Sequence, residues 1–339
     1  MVRGAMVRRV LRWVLLAIGG LVGLFIVWVV ILLLTSPGAR DTDRWERAAD
    51  VPRPLSEVAS TVVTNDGQEG LFIAGGFRSP VSRTSTGASL WSSEADEWER
   101  LPDLPGPRHH AAAAALDGAV YVSGGGSSAF SWTQRTNLWV LEPGADSWDE
   151  LPDLPEGRLG HRMEATAGLL YLIGGEGPSG DVLIYDPETQ EWSSGAPIPV
   201  PRDHLGSAVV DGEIWAIGGR SDDGMESRVD IYDPTTDRWD AGPELPRGVS
   251  AMVTGVMDDA IHIVGGEDPS LLGGRVLAVH LMVDTADGES WEEAPLPIFD
   301  VHGAGGGTVD GSLVVAGGSR RQGPLTPLGF TGATQRYEE

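Results

Sequence analysis

Chemistry in this chain falls to histidine, arginine and the carboxylates, because there is no cysteine and no lysine; all 24 basic residues other than the seven histidines are Arg. Four histidines, His110, His161, His204 and His302, recur at related places, with Arg53, Arg108, Arg158, Arg202 and Arg247 nearby. A second ionisable set, Arg78, Glu176, Arg220, Glu267 and Arg320, follows pairs of glycines. Imidazoles ligate zinc or copper or carry protons, guanidinium groups clasp carboxylates, and a carboxylate in a cleft serves as acid or base. Counted back from the next glycine pair, His110 and His204 lie 14 residues away, His161 lies 13 and His302 lies 15. Unequal offsets argue against four rings converging on one ion, so no metal and no cofactor is expected. Asp222, Asp223 and Glu226 match no EF-hand spacing and read as solvated loop acids.

The glycine pairs set the architecture that positions these side chains. They stand at Gly75-Gly76, Gly124-Gly125, Gly174-Gly175, Gly218-Gly219, Gly265-Gly266 and Gly317-Gly318, spaced 44 to 52 residues apart, each closing a short apolar run. Around each pair the pattern repeats. A strand of small residues, such as 110–116, turns at Asp117-Gly118 into the strand that ends in glycines. A third strand such as 182–185 precedes Asp186-Pro187, and a Trp opens a fourth; these are Trp45, Trp98, Trp148, Trp192, Trp239 and Trp291. Four strands recurring with a period near fifty predict an all-β, six-bladed propeller. No helix follows the glycines and no G-x-x-x-x-G-K-[ST] is present, so they are not phosphate loops.

With its double glycines, Tyr-Asp-Pro at residues 185–187 and 232–234, Trp192 and Trp239, and Pro-Arg at 107–108 and 201–202, the chain resembles the kelch-repeat family over residues 41–339. Leu141-Glu142-Pro143 replaces Tyr-Asp-Pro in the second repeat, and the fifth keeps only a loose version near Asp284. Residues 333–339 match a third strand and stop where the next Trp is due, whereas Asp43-Arg44-Trp45 reads like Asp237-Arg238-Trp239. A strand near 43–49 is therefore expected to complete the last blade.

Ahead of the repeats, residues 13–34 are 22 uncharged, largely apolar residues, long enough to cross a bilayer core of about 30 Å. The reading is a 1–12 cytoplasmic tail, a signal anchor at 13–34, a linker at 35–40 and an extracytoplasmic propeller. Four arginines precede the span, which places the N-terminus inside. Residues 41–339 carry 19 Arg against 49 Asp and Glu, so nucleic acid is not an expected partner.

The resemblance implies a channel mouth that binds a protein, peptide or glycan. Arg78, Arg108, His110, Arg158, Glu176, Arg202, His204, Arg220, Glu267 and Arg320 are the residues placed around it, with Phe130, Trp132 and Phe330 as a contact lip. The alternative is a sugar-active enzyme similar to sialic-acid mutarotase, with Glu176 or Glu267 as acid/base and Arg220 holding a carboxylate. A copper radical oxidase is excluded, because its cofactor requires a Cys-linked Tyr.

Overall fold

The computed structural model describes residues 2–34, 38–78, 83–177, 179–268, 276–286, 288–322, 326 and 328–339, with side chains of the N-terminal helix described from 11 to 27. It comprises two units, Met1–Ala39 and Arg40–Glu339. The first is built on a helix, α1 (Val2–Leu34), which carries only apolar and glycine side chains between Trp13 and Val27. Among the described residues no helix is long and apolar enough to cross a membrane. The expected span at 13–34 lies partly outside the residues whose side chains are described.

The second unit is a six-bladed propeller of antiparallel sheets. Blade 1 runs Leu55–Asn65, Gln68–Arg78, Ala88–Ser92 and Glu97–Leu101 from the axis outward. Blades 2 to 5 begin with Ala112–Leu116, Arg162–Thr166, Gly206–Val210 and Val253–Met257. Blade 6 consists of Gly305–Val309, Ser312–Ala316 and Thr334–Tyr337, and its outer strand is the N-terminal Trp45–Ala48, paired antiparallel with Thr334–Tyr337. Small residues dominate the innermost strands of blades 2, 4 and 6, such as Ala112–Leu116 and Gly305–Val309, where six strands crowd one axis. The second strands, such as Leu169–Ile173, are apolar on both faces and buried between blades. Each of the six hydrophobic clusters lies between two neighbouring blades, for example Phe72 of blade 1 with Val122 and Trp139 of blade 2. Burial thus holds blade to blade, and no single blade owns a core.

Hydrogen bonds add sixfold belts to this packing. At the periphery every repeat Trp donates its Nε1–H to a carbonyl of the preceding blade: Trp45 to Pro295, Trp98 to Ala49, Trp148 to Pro102, Trp192 to Pro152, Trp239 to Ala196 and Trp291 to Pro243, at 2.7–3.1 Å. Further in, the second glycine of each pair donates its N–H to a carbonyl of the next blade, on Arg108, Arg158, Arg202, Val249, Val301 and Leu55 in turn, at 2.7–2.9 Å. The first glycine is required by that same oxygen: a Cβ on Gly75 would stand 2.5 Å from the Arg108 carbonyl oxygen. Bond and close approach together explain why two glycines recur.

Candidate functional site

A third belt surrounds the channel axis. Glu57, His110, Gly160, His204, Ala251 and Gly303 occupy equivalent positions in blades 1 to 6, all with φ between 52° and 67°. Each backbone N–H donates to the carbonyl of the equivalent residue in the preceding blade, from His110 to Glu57 round to Glu57 to Gly303, at 2.7–3.1 Å, and the ring closes without a gap. Left-handed backbone is what turns six N–H groups tangentially. It also accounts for the residue types: glycine adopts it freely, and six non-glycine positions would store strain.

Only three of the six positions carry a functional side chain. Glu57, His110 and His204 offer ligand atoms all within 4.8 Å of one another, and the neck they line also includes Gly160, Ala251 and Gly303. His110 Nε2 is 3.4 Å from Glu57 Oε2, and the rings of His110 and His204 meet edge to face at 4.8 Å between centroids. Behind each imidazole stands a partner for its other nitrogen. His204 Nδ1 donates to Asp203 Oδ1 at 2.5 Å, and Asp203 also takes Arg220 at 3.0 Å. His110 Nδ1 is 2.7 Å from His109 Nδ1.

These surroundings push the two neck histidines in opposite directions. Burial, with His204 and His109 adding repulsion, holds His110 well below the ordinary imidazole pKa. Burial also opposes charge on His204, yet the hydrogen bond and charge of Asp203, aided by Glu57, outweigh it and raise the pKa. Asp203 is itself held low: burial works against its charge, and His204 and Arg220 overcome it.

Residues one step before the ring form a second tier, bridged to residues that follow the glycine pairs: His109 to Gly126, Leu159 to Glu176, Asp203 to Arg220, Ser250 to Glu267 and His302 to Ser319. His302 Nδ1 lies 3.4 Å from Glu57 Oε1 and 3.5 Å from Glu267 Oε2, which links Glu267 to the neck. Below the ring a channel of about 230 Å³ is lined by the inner strands of all six blades. Arg162 stands across it, donating to the carbonyls of Leu205 at 2.7 Å and Met252 at 2.9 Å. Glu164 accepts from Ser207, and burial raises its pKa against the pull of Ser207 and Arg162. Above the neck, Trp132 sits 5.3 Å from the His110 ring and 5.5 Å from the His109 ring, half-exposed.

The comparisons agree with this architecture. The Kelch motif matches residues 107–155, 157–199 and 201–246. The chain carries kelch motifs within a six-bladed propeller. It is similar to beta-scruin of Limulus polyphemus, at 31% identity over 52% of this chain and 14% of that protein, and to Kelch-like protein terF of Aspergillus terreus, at 26% over 53% and 30%. The chain therefore spans less than a third of these relatives' lengths. Among solved structures, that of YjhT superposes with a TM-score of 0.68 over 80% of this chain and 92% of that one at 19% identity, a likeness of fold.

Within this propeller the residues expected at the mouth separate into two groups. His110, His204, Arg220 and Glu267 come together at the neck, and the backbone of Glu176 lies in the second tier. Arg108, Arg158 and Arg202 do not reach the channel. Their guanidinium groups are consumed inside their own blades: Arg108 by Pro107, Asn137 and the Trp139 ring, Arg158 by Glu156, Gly174 and Asp181, Arg202 by Asp230, Gly218 and Ala216. Arg78 faces a separate cavity with Arg53 and Arg100, and Arg320 stacks on Phe299 at 4.7 Å. Of the expected lip, Trp132 covers the neck histidines, Phe130 is fully exposed and Phe330 bridges to Ser319. Glu57, His109, Arg162, Glu164 and Asp203 are site residues that the repeat pattern does not reveal. His110 and His204, which share the 14-residue offset, meet at the neck, whereas His161 and His302, one residue out of step, lie off the ring.

Proposed function

We propose that this protein is a membrane-anchored, extracytoplasmic binding module whose channel mouth engages a protein, peptide or glycan. The observation that carries the binding reading is the asymmetry of the inner ring. All six ring bonds are made by backbone and need no functional side chain, yet blades 1, 2 and 4 spend Glu57, His110 and His204 there. Ionisable groups held at a neck under an exposed Trp suit recognition, with Trp132 as aromatic anchor and Arg220 as the guanidinium for an acidic group. The full-length chain in detergent, applied to peptide and glycan arrays, is expected to select a ligand. Trp132→Ala and Arg220→Ala each weaken that binding on the order of tenfold or more, as truncation of interface anchors does; unchanged binding in both variants places the ligand elsewhere.

A mutarotase-like activity is the second reading, favoured by one contact: Glu57 and His110 form a close carboxylate–imidazole pair next to the Asp203–Arg220 bridge. Here Glu57, more central than Glu176 or Glu267, takes the acid/base role. Accelerated anomer exchange of sialic acid by the wild-type chain, lost in Glu57→Gln, would favour it over simple binding.

Anchoring and orientation are supported by the apolar run 13–34 and the arginines before it. The chain is expected in the membrane pellet after high-salt washing, released by detergent, and freed by deletion of 13–34. Recovery of the intact chain in the soluble fraction defeats the anchor.

A further inference from the structure

We propose that Glu57, His110 and His204 form a binding site for a divalent transition-metal ion of the zinc type in the neck of the channel. The donor set is two imidazoles and one carboxylate, with ligand atoms within 4.8 Å of one another. Ligands about 2.0–2.2 Å from a tetrahedral ion stand roughly 3.3 Å apart. His110 Nε2 and Glu57 Oε2, at 3.4 Å, already have that separation.

Each imidazole is arranged as a ligand. Asp203 holds His204 by Nδ1 and His109 holds His110 by Nδ1, which leaves Nε2 of both rings for the ion. A partner on the far nitrogen fixes the tautomer and orientation of metal-bound histidines. Arg220, close to His204, does not leave the site cationic, because Asp203 pairs with it at 3.0 Å and the charge of Glu57 remains.

The scaffold holds these donors in place before any ion arrives. All three backbones lie within the closed ring of hydrogen bonds. Two ring glycines leave room for the side chains: a Cβ on Gly303 would strike the Glu57 carboxylate, and one on Gly160 would lie 3.1 Å from His204 Nδ1. Nitrogen with oxygen donors selects zinc-like ions over calcium or magnesium, which prefer all-oxygen shells. Three protein ligands leave a fourth position open for water or a ligand group.

This inference uses the neck geometry alone and stands apart from the partner reading, since zinc uptake without array binding, or the reverse, is separately observed. The test is a titration of the full-length chain, stripped with chelator and held in detergent, with Zn²⁺ against a chromophoric competitor. One ion per chain is expected. Glu57→Gln and His204→Asn weaken it on the order of a hundredfold or more, and Asp203→Asn by about 10–100-fold, as loss of an outer-shell partner does. Asp223→Asn, in an exposed loop, leaves it unchanged. Zn²⁺ raises the melting temperature of wild type and not of Glu57→Gln. Should a ligand variant fail to fold, the Co²⁺-loaded wild type decides, with two paramagnetically shifted, exchangeable imidazole N–H resonances expected. Absence of stoichiometric uptake, uptake indifferent to both ligand variants, or Co²⁺ loading without those resonances overturns the site.

Discussion

Lowering the pH from 7 to 4 is expected to reduce the melting temperature of this propeller steeply, with most of the loss below pH 6.5. Five histidines buried as neutral rings cause it, and burial holds two of them, His110 and His262, below the ordinary imidazole value. Burial lowers His109 to about 4, against a partial rescue by the Ser128 carbonyl. It lowers His161 to about 3, with Arg158 and Arg162 adding to the effect, and His280 to about 4 despite its bond to Pro295. In the unfolded chain each takes a proton near pH 6.5, so between that value and about 4 the unfolded state binds more protons and stability falls as the pH falls. Lowering by this much corresponds to on the order of 3–5 kcal/mol per ring, and the rings of His109, His161 and His280 together rival the roughly 5–15 kcal/mol that keeps a typical domain folded. His204 acts with the opposite sign, because its raised pKa gives stability below pH 6.5 that fades as the pH rises through the folded value. Asp203, held low, adds a further loss at the acid end of the range. Thermal melts at half-unit intervals, with His161→Gln alongside, check the balance. The variant's curve should be visibly flatter, and a wild-type melting temperature constant from pH 7 to pH 5 contradicts the assignment.

How much of this was legible in the sequence depends on whether a feature repeats. The glycine pairs and the repeat Trp residues do, because blade-to-blade geometry is the same six times and demands the same close approach and the same indole N–H. From them the blade number and the split sixth blade follow. The neck was half legible. His110 and His204 share a 14-residue offset, but Glu57 lies 18 before Gly75, since the first hairpin, Leu55–Asn65 with Gln68–Arg78, is two residues longer on each side of its turn. That displacement hides the equivalence of Glu57 to two histidines. The arginines misled for the opposite reason. Arg108, Arg158 and Arg202 repeat because their guanidinium groups staple strands within their own blades, so their recurrence records scaffold. Arg162, Glu164 and Asp203 occur once each and carry no periodic signal; only the channel axis brings them together.

Replacing the first glycine of a pair is expected to be the most damaging small substitution in the chain. In Gly75→Ala the new methyl group must sit 2.5 Å from the Arg108 carbonyl oxygen, on a residue whose φ is +73°. Neither side can move cheaply. The oxygen is the acceptor of the Gly76 N–H at 2.7 Å and belongs to the strand connection of the next blade, while the Gly75 N–H is itself bound to the Gly87 carbonyl. Left-handed strain alone costs an alanine about 1–2 kcal/mol. Forcing the blades apart adds a backbone hydrogen bond and interface packing, for a total of about 3–5 kcal/mol. Gly311→Ala separates the two contributions, because Gly311 has φ +76° and nothing within 4 Å of its virtual Cβ. It bears the dihedral strain without the collision, and its cost should stay near 1 kcal/mol. Urea denaturation of both variants against wild type measures the difference. Equal losses would mean that the glycine pairs serve backbone conformation only; a gap of 2 kcal/mol or more, as argued from overpacking, assigns the larger share to the blade interface. The gap should also recur at Gly218, whose Cβ would meet the Val249 carbonyl oxygen at 2.5 Å, because the same oxygen accepts from Gly219 there. A sixfold contact broken in one blade opens the ring at that blade, and the closed geometry gives the neighbouring blades no free edge along which to absorb the shift.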